Sequence, residues 1–294
     1  MAYMDKMNNA IDFIEANITD DIDLNLVARK ACCSVYHFLR TFSFLAEIPL
    51  SEYIRRRKLT LAAFDLFDGG KVVDVASKYG YSSPEAFARA FKGLHGITPM
   101  AARNTDTSLK AYPKLTFHLS LGGDGEIGYR IAQKNAYEVC GISIDVPIRH
   151  EKTNTVITRF WEDNIGNGVI GQFHRDIGLA YNICLNAALF NYRKSTFSYM
   201  ICYEMPSGRA PNGYSVLSVP PFTWAVFSTP EHPSNETTEI IRNMRKRIFT
   251  EWFPTSGYTH ASGPEFEMFH NDNNKFVIEI WVPIIKKPVY DLNL

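Results

Sequence analysis

One stretch of this sequence is written twice. Residues 27–42 (VARKACCSVYHFLRTF) and 75–91 (VASKYGYSSPEAFARAF) align with Ala28 over Ala76, Ser34 over Ser82, Arg40 over Arg89 and Phe42 over Phe91, at offsets of 48 or 49 residues. Each copy reads as a short helix carrying a small residue, a tight turn, and a serine placed to cap a second helix. In that second helix Phe38, Phe42 and Leu45, or Phe87, Phe91 and Leu94, recur at i, i+4 and i+7 and must face a core. Ala28 and Ala76 let the second helix cross the first closely, at the steep angle of a helix-turn-helix. The opposite faces present Val35, Tyr36, Leu39 and Arg40 in one copy, and Glu85, Ala86, Arg89 and Lys92 in the other. An α-helix fits the major groove of duplex DNA, where arginine reads guanine through O6 and N7. One such pattern alone would be explained better by a plain helical bundle. Its duplication, with matched arginines and phenylalanines, favours DNA.

Between the copies, residues 51–67 continue a helical pattern through Arg55, Arg56, Arg57 and Lys58. Seventeen residues span about 25 Å, a strut able to hold two reading helices roughly one DNA turn apart. The charge distribution agrees. Overall, 31 Lys+Arg balance 31 Asp+Glu. Yet residues 1–23 set six carboxylates against Lys6, whereas residues 24–103 set twelve Lys/Arg against six carboxylates. A basic module therefore follows an acidic first helix, as expected of a phosphate-backbone binder.

The texture changes near residue 110. Polar residues 104–110 read as a linker, which divides the chain into a helical domain at 1–106 and a second domain at 111–294. Alternating runs at 198–204 (SYMICYE) and 276–282 (FVIEIWV) read as strands. The second domain shows a weaker duplication of strand, helix and two strands: 137–143, 155–164, 179–187 and 196–204, then 222–227, 235–252, 266–269 and 276–282. Asn235 is placed to cap the helix at 235–252, whose late Arg242, Arg245, Lys246 and Arg247 suit its dipole. The expected fold class is multidomain: an all-α tandem helix-turn-helix followed by an α+β domain of duplicated β-α-β-β units, with helices on one side of an antiparallel sheet.

Two carboxylates stand in apolar strands, Glu279 in VIEIW and Glu267 in FEMF. Such a charge is costly unless something pairs with it. It either faces solvent or a nearby arginine, or it awaits a cationic or polar ligand, with Trp224 and Trp281 supplying cation–π faces.

Residues 24–103 resemble the tandem helix-turn-helix domain of the AraC/XylS family of bacterial transcription regulators. The carrying residues are Val27, Ala28, Ser34, Phe38, Arg40, Phe42, Tyr53 and Arg57, then Ala76, Gly80, Tyr81, Ser82, Phe87, Arg89, Phe91, Lys92, Ile97, Thr98 and Pro99. The resemblance implies promoter DNA bound in successive major grooves, RNA polymerase as a partner, and base-reading places for Tyr36, Leu39, Arg40, Ala86 and Arg89, with Ser34 and Lys92 beside them. Cys32 and Glu47 depart from it, standing where the second copy has Gly80 and Gly96; so does Leu39, apolar where relatives commonly have a polar reader. Residues 214–227, 236–258 and 265–284 are similar to GyrI-like domains, small-molecule-binding modules found also in multidrug-sensing regulators. The combination resembles a Rob-like arrangement. It implies an effector pocket between the pseudo-repeats, with Glu279 and Glu267 on its wall, and an effector that is cationic or amphipathic.

The expected function is a ligand-responsive transcription regulator, an activator, cytoplasmic and without enzymatic activity, cofactor, metal or membrane partner. Five cysteines without a C-x-x-C pair read as free thiols, and no apolar run reaches a membrane span. The glycines at 122–128 lack the Lys-Ser/Thr ending of a phosphate loop and read as a plain loop. Two other readings stand beside this one: a GyrI-like hydrolase using Glu279 as general base, and an interaction domain that binds a protein through its sheet.

Overall fold

The computed structural model describes residues 3–103, 108–118, 126–148, 150–180, 183–193, 195–205, 210–272 and 275–287. Most of the expected linker at 104–110 and of the glycine loop at 122–128 lies outside them. The chain divides into two compact units, Met1–Val35 with Ile48–His118, and Tyr36–Glu47 with Leu119–Leu294.

The first unit contains α1 (Tyr3–Ala16), α2 (Leu24–Lys30), α4 (Leu50–Phe67), α5 (Val72–Lys78) and α6 (Pro84–His95). The intervening helix α3 (Val35–Ala46) belongs, from Tyr36 onward, to the second unit. Asp23 caps α2 by accepting a hydrogen bond from the Asn25 amide. In the second copy Ser83, rather than Ser82, caps α6 by accepting from the Ala86 amide. The one-residue step between the copies thus falls in the turn, and from Ser34/Ser83 onward the offset is a constant 49. Leu59, Ala62, Leu66, Val75, Ala76, Phe87, Phe91 and Leu94 form one apolar core, which is why those positions repeat at helical spacing.

Three of the four basic residues in the run on α4 are paired with carboxylates of the same unit. Arg57 is buried, clamping Glu15 through Nε (2.8 Å) and Nη2 (2.7 Å) and donating to the Tyr112 carbonyl. Burial would raise the Glu15 carboxyl, but hydrogen bonds from Arg57 and Tyr53 hold it below its usual range. Arg55 and Arg56 both pair with Glu52. The positive charge of this unit is therefore smaller outside than the residue count implies.

Cys32 and Glu47, the two departures from glycine, both adopt left-handed backbone (φ 52° and 57°), as do their counterparts Gly80 (77°) and Gly96 (82°). A side chain at such a position is strained. Cys32→Gly is expected to stabilise the protein by about 0.5–1 kcal/mol, read as a higher urea midpoint. An unchanged or lower midpoint would contradict this.

Among the described residues the second unit holds, besides α3, a nine-stranded antiparallel sheet with helices α7 (His150–Gly166), α8 (Val169–Asp176) and α9 (Thr237–Arg247). The strands are β1 (Tyr129–Lys134), β2 (Tyr137–Pro147), β3 (Asn186–Phe190), β4 (Thr196–Glu204), β5 (Ser215–Val219), β6 (Phe222–Ser228), β7 (Tyr258–His260), β8 (Glu265–Asp272) and β9 (Lys275–Lys286). The order β1-β6-β9-β8-β3-β4-β2-β5, with β7 on β9, is symmetric about the β8–β3 joint. The duplication read in the sequence is that symmetry. β1, β5, β7 and α8 are additions to the expected units, and the expected strand at 179–187 begins only at Asn186. Asn235 lies within a 3-10 turn (Ser234–Glu236), and α9 starts at Thr237 without a side-chain cap. Pro233 precedes this turn in extended backbone, and the turn runs directly into the helix. Beyond Arg247 the helix widens into a π turn (Ile248–Trp252) and ends with Phe253–Thr255.

Helices cover one face of the sheet. Ile278, Ile280, Val282 and Ile284 of β9 alternate onto Ile248, Phe249, Trp252 and Phe253. Ala187, Leu189, Phe197, Tyr199 and Ile201 pack with Phe160, Trp161, Ile170 and Phe173 of α7 and α8. The other face curls inward. Only two residues separate β1 from β2, although they lie near opposite ends of the strand order. Val139, Met200, Cys202, Val219, Trp224, Val226 and Phe266 close that inner face.

Candidate functional site

Alternation along β8 puts Glu265 and Glu267 on the helix-covered face and Phe266 on the inner one. Glu267 stands opposite Ala187 of β3 and Ile280 of β9, at the seam between the two pseudo-repeats. Glu265 is wholly buried, and Glu267 nearly so. A carboxylate there is tolerated only with cations and hydrogen bonds around it. Arg40 of α3 supplies a two-pronged contact to Glu265, Nε to Oε1 at 3.0 Å and Nη2 to Oε2 at 2.8 Å. Arg245, from the last turn of α9, donates from Nη1 to Glu265 and from Nε to Glu267 Oε1 at 3.0 Å. His260 Nε2 lies 3.2 Å from Glu265 Oε1. Burial would raise the Glu265 carboxyl, but Arg40, Arg245 and His260 outweigh it and hold it well below the usual range.

Aromatic rings surround the charges. The Arg40 guanidinium carbon sits 4.5 Å from the Tyr192 ring centroid, 4.7 Å from Phe44 and 5.7 Å from Phe249, within cation–π range. Tyr36 stacks on His260 at 4.8 Å and meets the edge of Tyr192 at 4.8 Å. His37 packs edge-on against Phe253 at 5.2 Å, and burial pushes its pKa down to about 3.

The DNA-reading candidates therefore part company. In α6, Arg89 and Lys92 are exposed and Ala86 is half-buried. In α3, Leu39 and Arg40 are buried, and Ser34 and Tyr36 are half-buried. The face of α3 that matches the open face of α6 is engaged within the sheet unit. The effector candidates also separate. Met268, Phe266 and Val226 register with Glu279 or Trp281, so both residues lie with Trp224 on the inner face of the sheet. Glu267 points to the opposite side. Arg130 Nη2 donates to both oxygens of Glu279 at 2.8 Å, and Trp281 Nε1 donates to Glu279 Oε2 at 3.0 Å. The two indoles of Trp224 and Trp281 meet edge-on at 5.9 Å. Glu279 is thus an arginine-paired carboxylate rather than a free base.

The sequence alone does not mark Glu265, Tyr192 or His260, and it marks Arg245 only as a charge that suits its helix dipole. The i, i+2 spacing of Glu265 and Glu267 flags a shared face, but their cations come from distant segments. Among the described residues, no group of three His, Cys, Asp or Glu could hold a metal ion, and no helix is long and apolar enough to cross a membrane.

Comparison with known proteins is consistent with both halves. The family model of the integron-associated effector binding protein matches residues 130–284, more than half of the chain, and a helix-turn-helix domain model matches residues 27–105. The chain is 38% identical over 96 residues to the HTH-type transcriptional activator AarP of Providencia stuartii, covering 32% of this chain and 71% of that protein. It is 30% identical over 105 residues to the regulatory protein SoxS of Salmonella typhimurium, covering 35% of this chain and 98% of that protein. Among solved structures it is similar to SAV2435 bound to tetraphenylphosphonium, with 18% identity and a TM-score of 0.45 over 54% of this chain and 94% of that one. An integron cassette protein from the mobile metagenome of Vibrio cholerae matches with 18% identity and a TM-score of 0.37, over 53% of this chain and 95% of that one. The chain belongs to the integron-associated effector binding protein family and joins that domain to an AraC-type helix-turn-helix head, the composition of a ligand-responsive DNA-binding regulator.

Proposed function

We propose that the chain activates transcription from promoters it reads through α6 and α3, in response to an organic cation bound at Glu265 and Glu267. The observation that carries the effector reading is the buried pair of carboxylates at the seam of the pseudo-repeats, ringed by Tyr192, Phe249 and His260. Two anions in an aromatic enclosure select a cation by charge and by ring faces together. The activator assignment draws on the name of the Providencia relative, and contact with RNA polymerase goes with it.

The DNA arm rests on the exposed Arg89 and Lys92 of α6. Arg89→Ala is expected to weaken binding to the cognate promoter by about 1–3 kcal/mol in gel-shift titrations at fixed salt. Unchanged affinity would remove Arg89 from the reading surface. For the effector arm, Glu265→Gln is expected to cut the affinity for an aryl cation at least tenfold by calorimetry. Equal affinity in the variant would place the cation elsewhere, with the inner-face set of Glu279, Trp281 and Trp224 as the next site to test.

A further inference from the structure

The carboxylate cluster already holds a ligand of the kind proposed for it, and that ligand is part of the chain. Both oxygens of Glu265 accept from the flat Arg40 guanidinium, whose carbon lies 4.5 Å from the Tyr192 ring centroid and 5.7 Å from that of Phe249. A diffusible cation on Glu265 would need the same oxygens and the same ring faces. We propose that Arg40 is a built-in occupant of the effector site, and that a planar organic cation displaces it and so frees α3, the helix that carries the first copy's DNA-reading face. This rests on the reading of Glu265 and Glu267 as the effector carboxylates.

Charge counting within the cluster supports the exchange. Glu265 and Glu267 are matched by Arg40 and Arg245, and of these four only Arg40 comes from α3. If α3 withdraws, two buried carboxylates share Arg245 and the site is short of one positive charge. Such a deficit is costly in a buried place and is met by importing a cation. Tyr36 and Phe44 leave with the helix, so the vacated space accepts an aryl group beside the charge. The contrast between the copies points the same way: Arg89 is exposed, whereas Arg40 is 7% exposed. Because ligand and α3 compete for one carboxylate, the ligand binds only the released form. That differential affinity is what a population shift requires, and by linkage a duplex that captures α3 tightens ligand binding.

The test uses the full chain and benzamidine, an aryl amidinium. Calorimetry measures its binding to the wild type, Arg40→Ala and Glu265→Gln, and hydrogen exchange follows the amides of α3 in the wild type with and without it. The expected results are at least tenfold tighter binding to Arg40→Ala, at least tenfold weaker binding to Glu265→Gln, and at least tenfold faster exchange in α3 of the liganded wild type. Benzamidine that binds the wild type through Glu265 while α3 exchange stays unchanged would overturn the built-in occupant and leave the effector site standing. Absence of binding to both the wild type and Arg40→Ala would overturn both readings. Should Arg40→Ala unfold, the exchange measurement on the wild type decides alone.

Discussion

Arg245→Met should destabilise the sheet unit by about 3–5 kcal/mol, the usual cost of stripping a buried ion pair of one partner. Arg245 is 4% exposed and serves two carboxylates, whereas Arg40 serves only Glu265. Methionine fills much of the arginine stem's volume, so the loss is mainly electrostatic: Glu267 is left without its cation in a nearly buried site. All four tryptophans, Trp161, Trp224, Trp252 and Trp281, lie in the second unit, so their fluorescence in urea follows that unit specifically. Adding Glu267→Gln to Arg245→Met should restore stability by more than about 0.5 kcal/mol, the margin that marks coupled neighbours. A loss below about 1 kcal/mol in the single variant would mean that solvent screens the cluster as it screens surface pairs.

Acid should weaken the same unit before most of its carboxylates titrate. Burial, reinforced by His260, lowers the pKa of His37 from 6.5 to about 3, and burial lowers that of His260 as well. Above pH 6.5 the His37 ring is neutral in the folded and unfolded chains alike. As pH falls below 6.5 the unfolded chain binds a proton that the folded one refuses, so stability is lost progressively down to about pH 3. At about 1.4 kcal/mol per pH unit, His37 alone removes about 2 kcal/mol between pH 6.5 and 5. Glu265, held well below its ordinary pKa, adds a further loss beneath pH 4.5 in the same direction. The urea midpoint read by tryptophan fluorescence should therefore fall between pH 7 and 5, and His37→Phe, which keeps a ring against Phe249 and Phe253, should flatten that part of the curve. A flat profile in the wild type would show that protons reach His37 in the folded state.

How much of this was legible in the sequence differs between its halves. The helix-turn-helix duplication was readable because each turn demands a particular residue or conformation. Cys32 and Glu47 take left-handed backbone where the second copy has glycine, so even the departures mark the turns. The β-α-β-β repeat was readable from alternation, but its short edge strands β1 and β5 carry too little pattern. Apolar residues on more than one face of α3 (Val35, Tyr36, Phe38, Leu39, Phe42, Phe44 and Leu45) signal a helix buried on several sides.

The residues themselves determined which segments coil, which pair as strands, and that two carboxylates would stand in apolar strands, because these depend on local spacing and side-chain type. Tertiary structure alone decided which charges meet. Arg40 and Glu265 are 225 residues apart, and the two faces of β8 and β9 separate Glu267 from Glu279 although both are acidic residues in similar strands. Ion pairing in a buried place is a matter of which surfaces the folded chain brings together, and no spacing along the polymer encodes it.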